Sequence, residues 1–211
     1  MTKTNYGKFL AWLIAAWFTL SFAASAFHVF QTDPDRPPLP LLMGVLAPIA
    51  VFSVWYLNSR PFRDFILSLD PRILTVVHSW RIGGFVFLVL STYGILPRVF
   101  ALPAGWGDIA IGATAILARK LASPDHRKSF ILWHVLGMTD LVTAITLGAA
   151  SRFISPAESI TTAPMTVLPL SLIPTFAVPL LLILHTICIA QARRWPERHG
   201  SFGQTQGPVA A

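Results

Sequence analysis

Six ionisable side chains lie inside stretches of this sequence that are otherwise apolar: His78, Arg81, Asp108, His134, Asp140 and His185. Three neutral imidazoles can ligate a transition metal or a haem iron, because each ring offers a nitrogen lone pair. A guanidinium set among two carboxylates can lock helices together, hold the acidic group of a cofactor, or serve a proton path. A charge in hydrocarbon costs at least ~2.5 kcal/mol. Arg81, nine residues inside the run Ile73–Leu96, is therefore expected to be there for a reason.

Spacing says which of these residues can meet. His78 and Arg81 stand at i and i+3 and share a helix face, continued by Phe85 and Thr92. Asp108 shares a ridge with Ala101, Ala104, Gly105, Gly112 and Ala115, small residues that let a neighbouring helix approach closely. Asp140 aligns with Trp133, Gly137, Ala144 and Gly148, and His134 points about 120° away from it around the same helix. On that geometry the six residues are not expected to line one pocket. Arg81 is expected to neutralise one aspartate only, leaving the other protonated, paired with a histidine or hydrated.

Depth sorts the six into two layers. At about 1.5 Å per residue from the helix end on the side expected to be cytoplasmic, the three histidines lie roughly 8 Å in, and Arg81, Asp108 and Asp140 roughly 12–16 Å in. Bundle cofactor sites are built from inward side chains of facing helices at one depth, so His78, His134 and His185 are the candidate metal or haem ligands. Arg81, Asp108 and Asp140 are the candidate intramembrane charge network. Trp80 and Trp133 flank the histidine layer and read as interfacial anchors, as does Trp106 nearer the far side; His28, at the end of the first run, reads as exposed.

The elements that position these residues are apolar helices. Of 211 residues, 54% are hydrophobic and 12% charged, against about 25% charged in soluble domains. Runs long enough to span a bilayer, about 20 residues each, occur at 9–30, 39–57, 73–96, 101–118, 129–150 and 167–190, followed by a tail over 191–211. The expected fold is all-α, a polytopic bundle of six transmembrane helices forming one integral membrane domain over residues 1–211. Residues 60–70 mix charge with apolar side chains, as a short surface helix or a plain linker would. Pro34, Pro37, Pro38 and Pro40 stiffen the loop into the second helix, and Pro169, Pro174 and Pro179 punctuate the last one, freeing backbone carbonyls.

Lys and Arg counted in alternate segments give the orientation. Lys3, Lys8, Arg60, Arg63, Arg72, Arg119, Lys120, Arg127, Lys128, Arg193, Arg194 and Arg198 fall on one side, and only Arg36, Arg98 and Arg152 on the other. Both termini are expected in the cytoplasm, in a multi-pass protein of the cell membrane. Residues 1–26 also resemble a signal peptide, with Ala24-Ser25-Ala26 as a cleavage site, but the apolar run continues through Phe27 and Phe30, which favours a retained helix. The formal charge of +7 is scattered through short loops, where anionic lipid and topology account for it, so nucleic acid is not an expected partner. The bilayer is, with further copies of the chain or other membrane subunits beside it. Cys188 is the lone cysteine and excludes an internal disulfide.

Absent motifs narrow the chemistry. No lysine lies within a span, which excludes a retinal Schiff base, and no Walker loop, Gly-x-Ser-x-Gly, His-Glu-x-x-His or Cys-x-x-Cys occurs. No substrate or catalytic residue follows from the sequence. Three functions stay open: a haem b or transition-metal protein, redox-linked, with Arg81 free for an anionic group; a small proton-coupled carrier or channel working through Asp108 or Asp140; and a non-catalytic assembly subunit whose charges hold the bundle.

Overall fold

The computed structural model describes residues 3–32, 38–154 and 160–196. Readings that rest on residues 1–2, Pro34, Arg36, Pro37, 155–159 and the tail from 197 onward, Arg198 included, lie outside the described residues, as do the side chains of Lys3 and Arg152.

The described residues form seven helices: α1 (Lys3–Ala26), α2 (Leu39–Asn58), α3 (Arg60–Leu67), α4 (Pro71–Thr92), α5 (Arg98–Ala118), α6 (Arg127–Ile154) and α7 (Ile173–Ala192). All but α3 are long and apolar enough to cross a membrane. The bundle is wrapped in apolar side chains. Trp12, Leu20, Phe27, Val51, Leu57 and Leu117 are each more than 60% exposed, a surface that a soluble monomer does not present at this extent and that hydrocarbon solvates without cost.

Local sequence sets the starts. Asp70 accepts from Arg72 N at 2.8 Å with Pro71 in the first turn of α4, and Ser59 accepts from Phe62 N at 3.4 Å with Pro61 in the first turn of α3. These caps satisfy backbone donors that a helix start leaves orphaned. The 60–67 segment is thus a helix, and an amphipathic one. It buries Phe62 and Ile66 against Ile187 of α7, and Phe62 stacks on Trp55 with ring centroids 3.8 Å apart.

The helices keep within a few residues of the expected limits, and three of the departures have a local cause. The first span begins at Lys3 and stops at Ala26, because His28 takes a positive φ of 59° that ends regular helix. The third stops at Thr92, ahead of Gly94 at φ 68°. The last begins at Ile173, so Pro169 lies in the turn before it. Pro174 sits in a π-helical turn over Ile173–Ala177, and Pro179 follows just inside the α-helical part. Having no N–H, Pro179 cannot bond Thr175 O four residues back. Trp17 Nε1 and Ser21 Oγ of α1 donate to that carbonyl at 3.2 and 3.4 Å, so the proline break docks α1 onto α7.

Small residues bring α4 and α5 together. A side chain at Gly112 would collide with the backbone of Arg81 and Ile82, and one at Gly84 with the Asp108 side chain. The expected ridge on α5 is where the two helices touch: Ala101, Ala104 and Ala115 are at most 1% exposed. At that contact α4 tightens into a 3-10 stretch over His78–Gly84, which carries both His78 and Arg81 inward.

Candidate metal centre

His78, His134 and His185 come from α4, α6 and α7 and are each 0% exposed. One nitrogen from each lies within 4.8 Å of the other two, so the three could hold a metal ion together. The rings are in mutual contact. His78 stacks on His185 with centroids 3.8 Å apart and 24° between planes, and His134 meets His185 edge-on at 5.0 Å. Phe130 and Trp133 wall the group, their centroids 4.4 and 4.9 Å from that of His134.

The hydrogen bonds around the rings fix where their protons sit. Arg81 Nη1 lies 3.3 Å from His185 Nε2, and a guanidinium only donates. His185 Nε2 therefore accepts, and the proton of the neutral ring is on Nδ1. That Nδ1 is 2.8 Å from His134 Nδ1, so His134 accepts there and carries its own proton on Nε2. His134 Nε2 faces Thr75 Oγ1 at 3.4 Å, and the Thr75 hydroxyl proton goes to Pro71 O at 2.7 Å. His78 is outside this chain: both of its ring nitrogens are buried without a hydrogen-bond partner.

One turn deeper, Arg81 gathers the rest. Its Nε donates to Asp108 Oδ1 at 2.7 Å, its Nη1 to Gly137 O at 3.1 Å, and its Nη2 to Asp140 Oδ2. The Arg81 side chain is 1% exposed and each aspartate side chain 16%. One expectation is corrected here. Arg81 pairs with both carboxylates, because the donors of its planar fork point in different directions and α5 and α6 each present an acid to one side of it. As expected, the six residues do not line one pocket; five are joined by hydrogen bonds or ion pairs, and His78 adjoins them by stacking on His185. The arc between His134 and Asp140 on α6 is real, but Gly137 lies between them and bares its carbonyl, while Arg81 reaches across to touch His185 as well.

Gly137 matters for a second reason. A side chain there would collide with the His185 ring, its Cβ falling 2.5 Å from Nε2 and 3.3 Å from Arg81 Nη1. Gly107 plays the same part for Asp140, whose carboxylate occupies the space a side chain would take.

Of the flanking aromatics, Trp80 is 85% exposed and Trp106 62%, as interfacial or lipid-facing residues are. Trp133 differs from expectation. It packs on all three histidine rings and donates from Nε1 to Thr114 Oγ1 at 3.0 Å. Thr75 was not singled out from the sequence, although it stands at i−3 from His78 and so on the same face; a lone threonine in a span gives no other signal.

No curated protein and no solved structure matches this chain. One sequence family does, over residues 36–193, a range that holds α2 through α7 and all six residues of the network. The chain belongs to that family, which is described as Domain of unknown function (DUF8737).

Proposed function

We propose that this chain is a multi-pass membrane protein that holds one transition-metal ion on His78, His134 and His185, with both termini in the cytoplasm. The observation that carries the reading is His78. A buried polar group left without a partner costs about 1–3 kcal/mol, and His78 leaves two nitrogens so, beside two other imidazoles. A metal ion is one partner that would take a nitrogen from each of the three rings, in exchange for the Arg81–His185 and His134–His185 hydrogen bonds that engage the lone pairs of those two rings.

Further features support it. Ligating histidines commonly donate their other N–H to an acceptor that fixes the ring, as His134 Nε2 does toward Thr75. Three histidines leave a fourth coordination position open, as catalytic and redox sites require. A single ion suits the cluster better than haem b, because rings stacked at 3.8 Å leave no slot for a macrocycle between them. Imidazole suits copper, iron, nickel and zinc alike; the redox-linked form of the reading requires copper or iron.

Elemental analysis of the purified full-length protein tests it. About one equivalent of one metal is expected, lost on replacing any of the three histidines by alanine. A preparation that holds no metal and takes up none on titration with copper, iron, nickel or zinc refutes the reading. A second reading, a proton-coupled carrier, is favoured by the pairing of Arg81 with two carboxylates inside the spans, since ionisable groups at that depth commonly serve transport paths.

A further inference from the structure

Beyond the histidines, the bundle holds a partly open cavity of about 370 Å³ between α2, α4, α5, α6 and α7, at the end that carries Thr32, Pro38 and Thr162. Its volume falls within the range of small-molecule sites, about 300–1,000 Å³. Its walls are mostly apolar, with Val45, Phe87, Leu141, Ile145 and Val178 prominent among them, and the hydroxyl residues Thr32, Ser151, Thr161, Thr162 and Thr166 complete the lining. Among the described lining residues one is ionisable: Asp108.

Asp108 gives Oδ1 to Arg81 Nε, while Oδ2 has no hydrogen-bond partner among the described residues. The charge on this floor has one sign. Four of the five guanidinium N–H groups are engaged, Nε by Asp108, Nη1 by Gly137 O and His185, and Nη2 by Asp140, and Arg81 is not among the residues that line the cavity. Its single positive charge also faces two carboxylates. An apolar cavity ending in a carboxylate oxygen, with net negative charge behind it and low dielectric around it, selects a cationic donor on a hydrocarbon body.

We propose that this cavity binds a lipophilic amine as its ammonium form, with the N–H donated to Asp108 and the hydrocarbon portion packed against Val45, Phe87, Leu141 and Val178. The site stands apart from the metal reading, since none of the three histidines lines it. It would give a carrier of this kind its substrate class.

The test uses the full-length protein in phosphatidylcholine nanodiscs with a tritiated phenylalkyl dimethylamine, and empty nanodiscs for background partition. Saturable binding is expected. Asp108→Asn should weaken it about tenfold to hundredfold, the effect of removing a hydrogen bond to a charged group. Gly148→Leu should abolish it by filling the cavity, since Gly148 lines it and a Cβ there meets only Phe100, at an ordinary 3.5 Å. That variant leaves the ionic groups intact, so its melting temperature should hold. The matching alcohol, with hydroxyl in place of amine, should compete at least about tenfold more weakly, and His78→Ala should bind the amine as the parent does. Uptake no greater than by empty nanodiscs, equal competition by the alcohol, or parental affinity in folded Gly148→Leu would each overturn the proposal.

Discussion

The Nδ1 atoms of His134 and His185 lie 2.8 Å apart, and since each is a ring nitrogen, only one of them can carry the proton between them. Arg81 decides which. Its obligatory donation to His185 Nε2 runs through both rings to Thr75 and ends at Pro71 O. The charge network on α4, α5 and α6 thus sets the tautomer of two histidines on α6 and α7. In that arrangement both lone pairs are engaged, His185 Nε2 by Arg81 and His134 Nδ1 by the His185 proton, so an ion held by both rings would have to displace these two hydrogen bonds.

Thr75 is the far anchor of that chain, and its removal tests whether the chain orients a ligand. Thr75→Val keeps the shape and deletes the acceptor of His134 Nε2–H. Metal retention should weaken about 10- to 100-fold, the usual effect of losing such a supporting partner, and Thr75→Ser should restore most of it. Chelator competition measures both. Parental retention in Thr75→Val would show that His134 needs no such support.

Arg81 carries the mechanical argument. Removing it leaves two partly buried carboxylates facing each other across α5 and α6, so Arg81→Leu should destabilise the protein by about 3 kcal/mol, the low end of the range for breaking a buried pair. Replacing all three, as Arg81→Met with Asp108→Asn and Asp140→Asn, should recover much of that loss, because no uncompensated charge remains. Melting in detergent compares the variants. If Arg81→Leu melts with the parent, the buried ion triad contributes nothing to holding the helices.

How much of this was legible in the sequence depends on the kind of signal. Six spans and the burial of Arg81 follow from hydropathy, because hydrocarbon penalises any interruption strongly and locally. That the three histidines sit at one level of the bundle and can meet was also readable, being a matter of counting from helix ends. What connects them was not. The contact of Arg81 with His185 depends on the bare carbonyl of Gly137 and on the 3-10 tightening at His78–Gly84, and helical periodicity assumes neither. Angles on a single helix wheel place His134 and Asp140 apart; they cannot show a long side chain from another helix bridging the arc. The start of α7 at Ile173 was likewise hidden, since an apolar turn before a helix has the same hydropathy as the helix.

Gly137 offers a sharp test of the packing around His185. Alanine favours helix over glycine by roughly 1 kcal/mol, so Gly137→Ala should stabilise α6 if nothing opposes the added methyl. The His185 ring and Arg81 oppose it. We expect a net loss of about 1–3 kcal/mol from overpacking and metal content below half the parental value. A raised melting temperature with full metal content would mean that the three rings do not sit against α6 as described.

Orientation is tested by reporters in the loops. With four of the seven segments between and beyond the spans basic and the other three nearly free of Lys and Arg, insertion physics favours keeping the basic ones in the cytoplasm. Reporters placed after Gln191 and within Ala122–Asp125 should read cytoplasmic, and one within Ser155–Thr162 external. The middle pair is the discriminating one. The two sites are separated by α6 alone, so they must report opposite sides if α6 crosses the bilayer. A cytoplasmic signal from both would make α6 a helix that enters without spanning. That outcome would also place His134 and Asp140 in a different relation to the membrane, and the argument that their burial in hydrocarbon demands partners would fall with it.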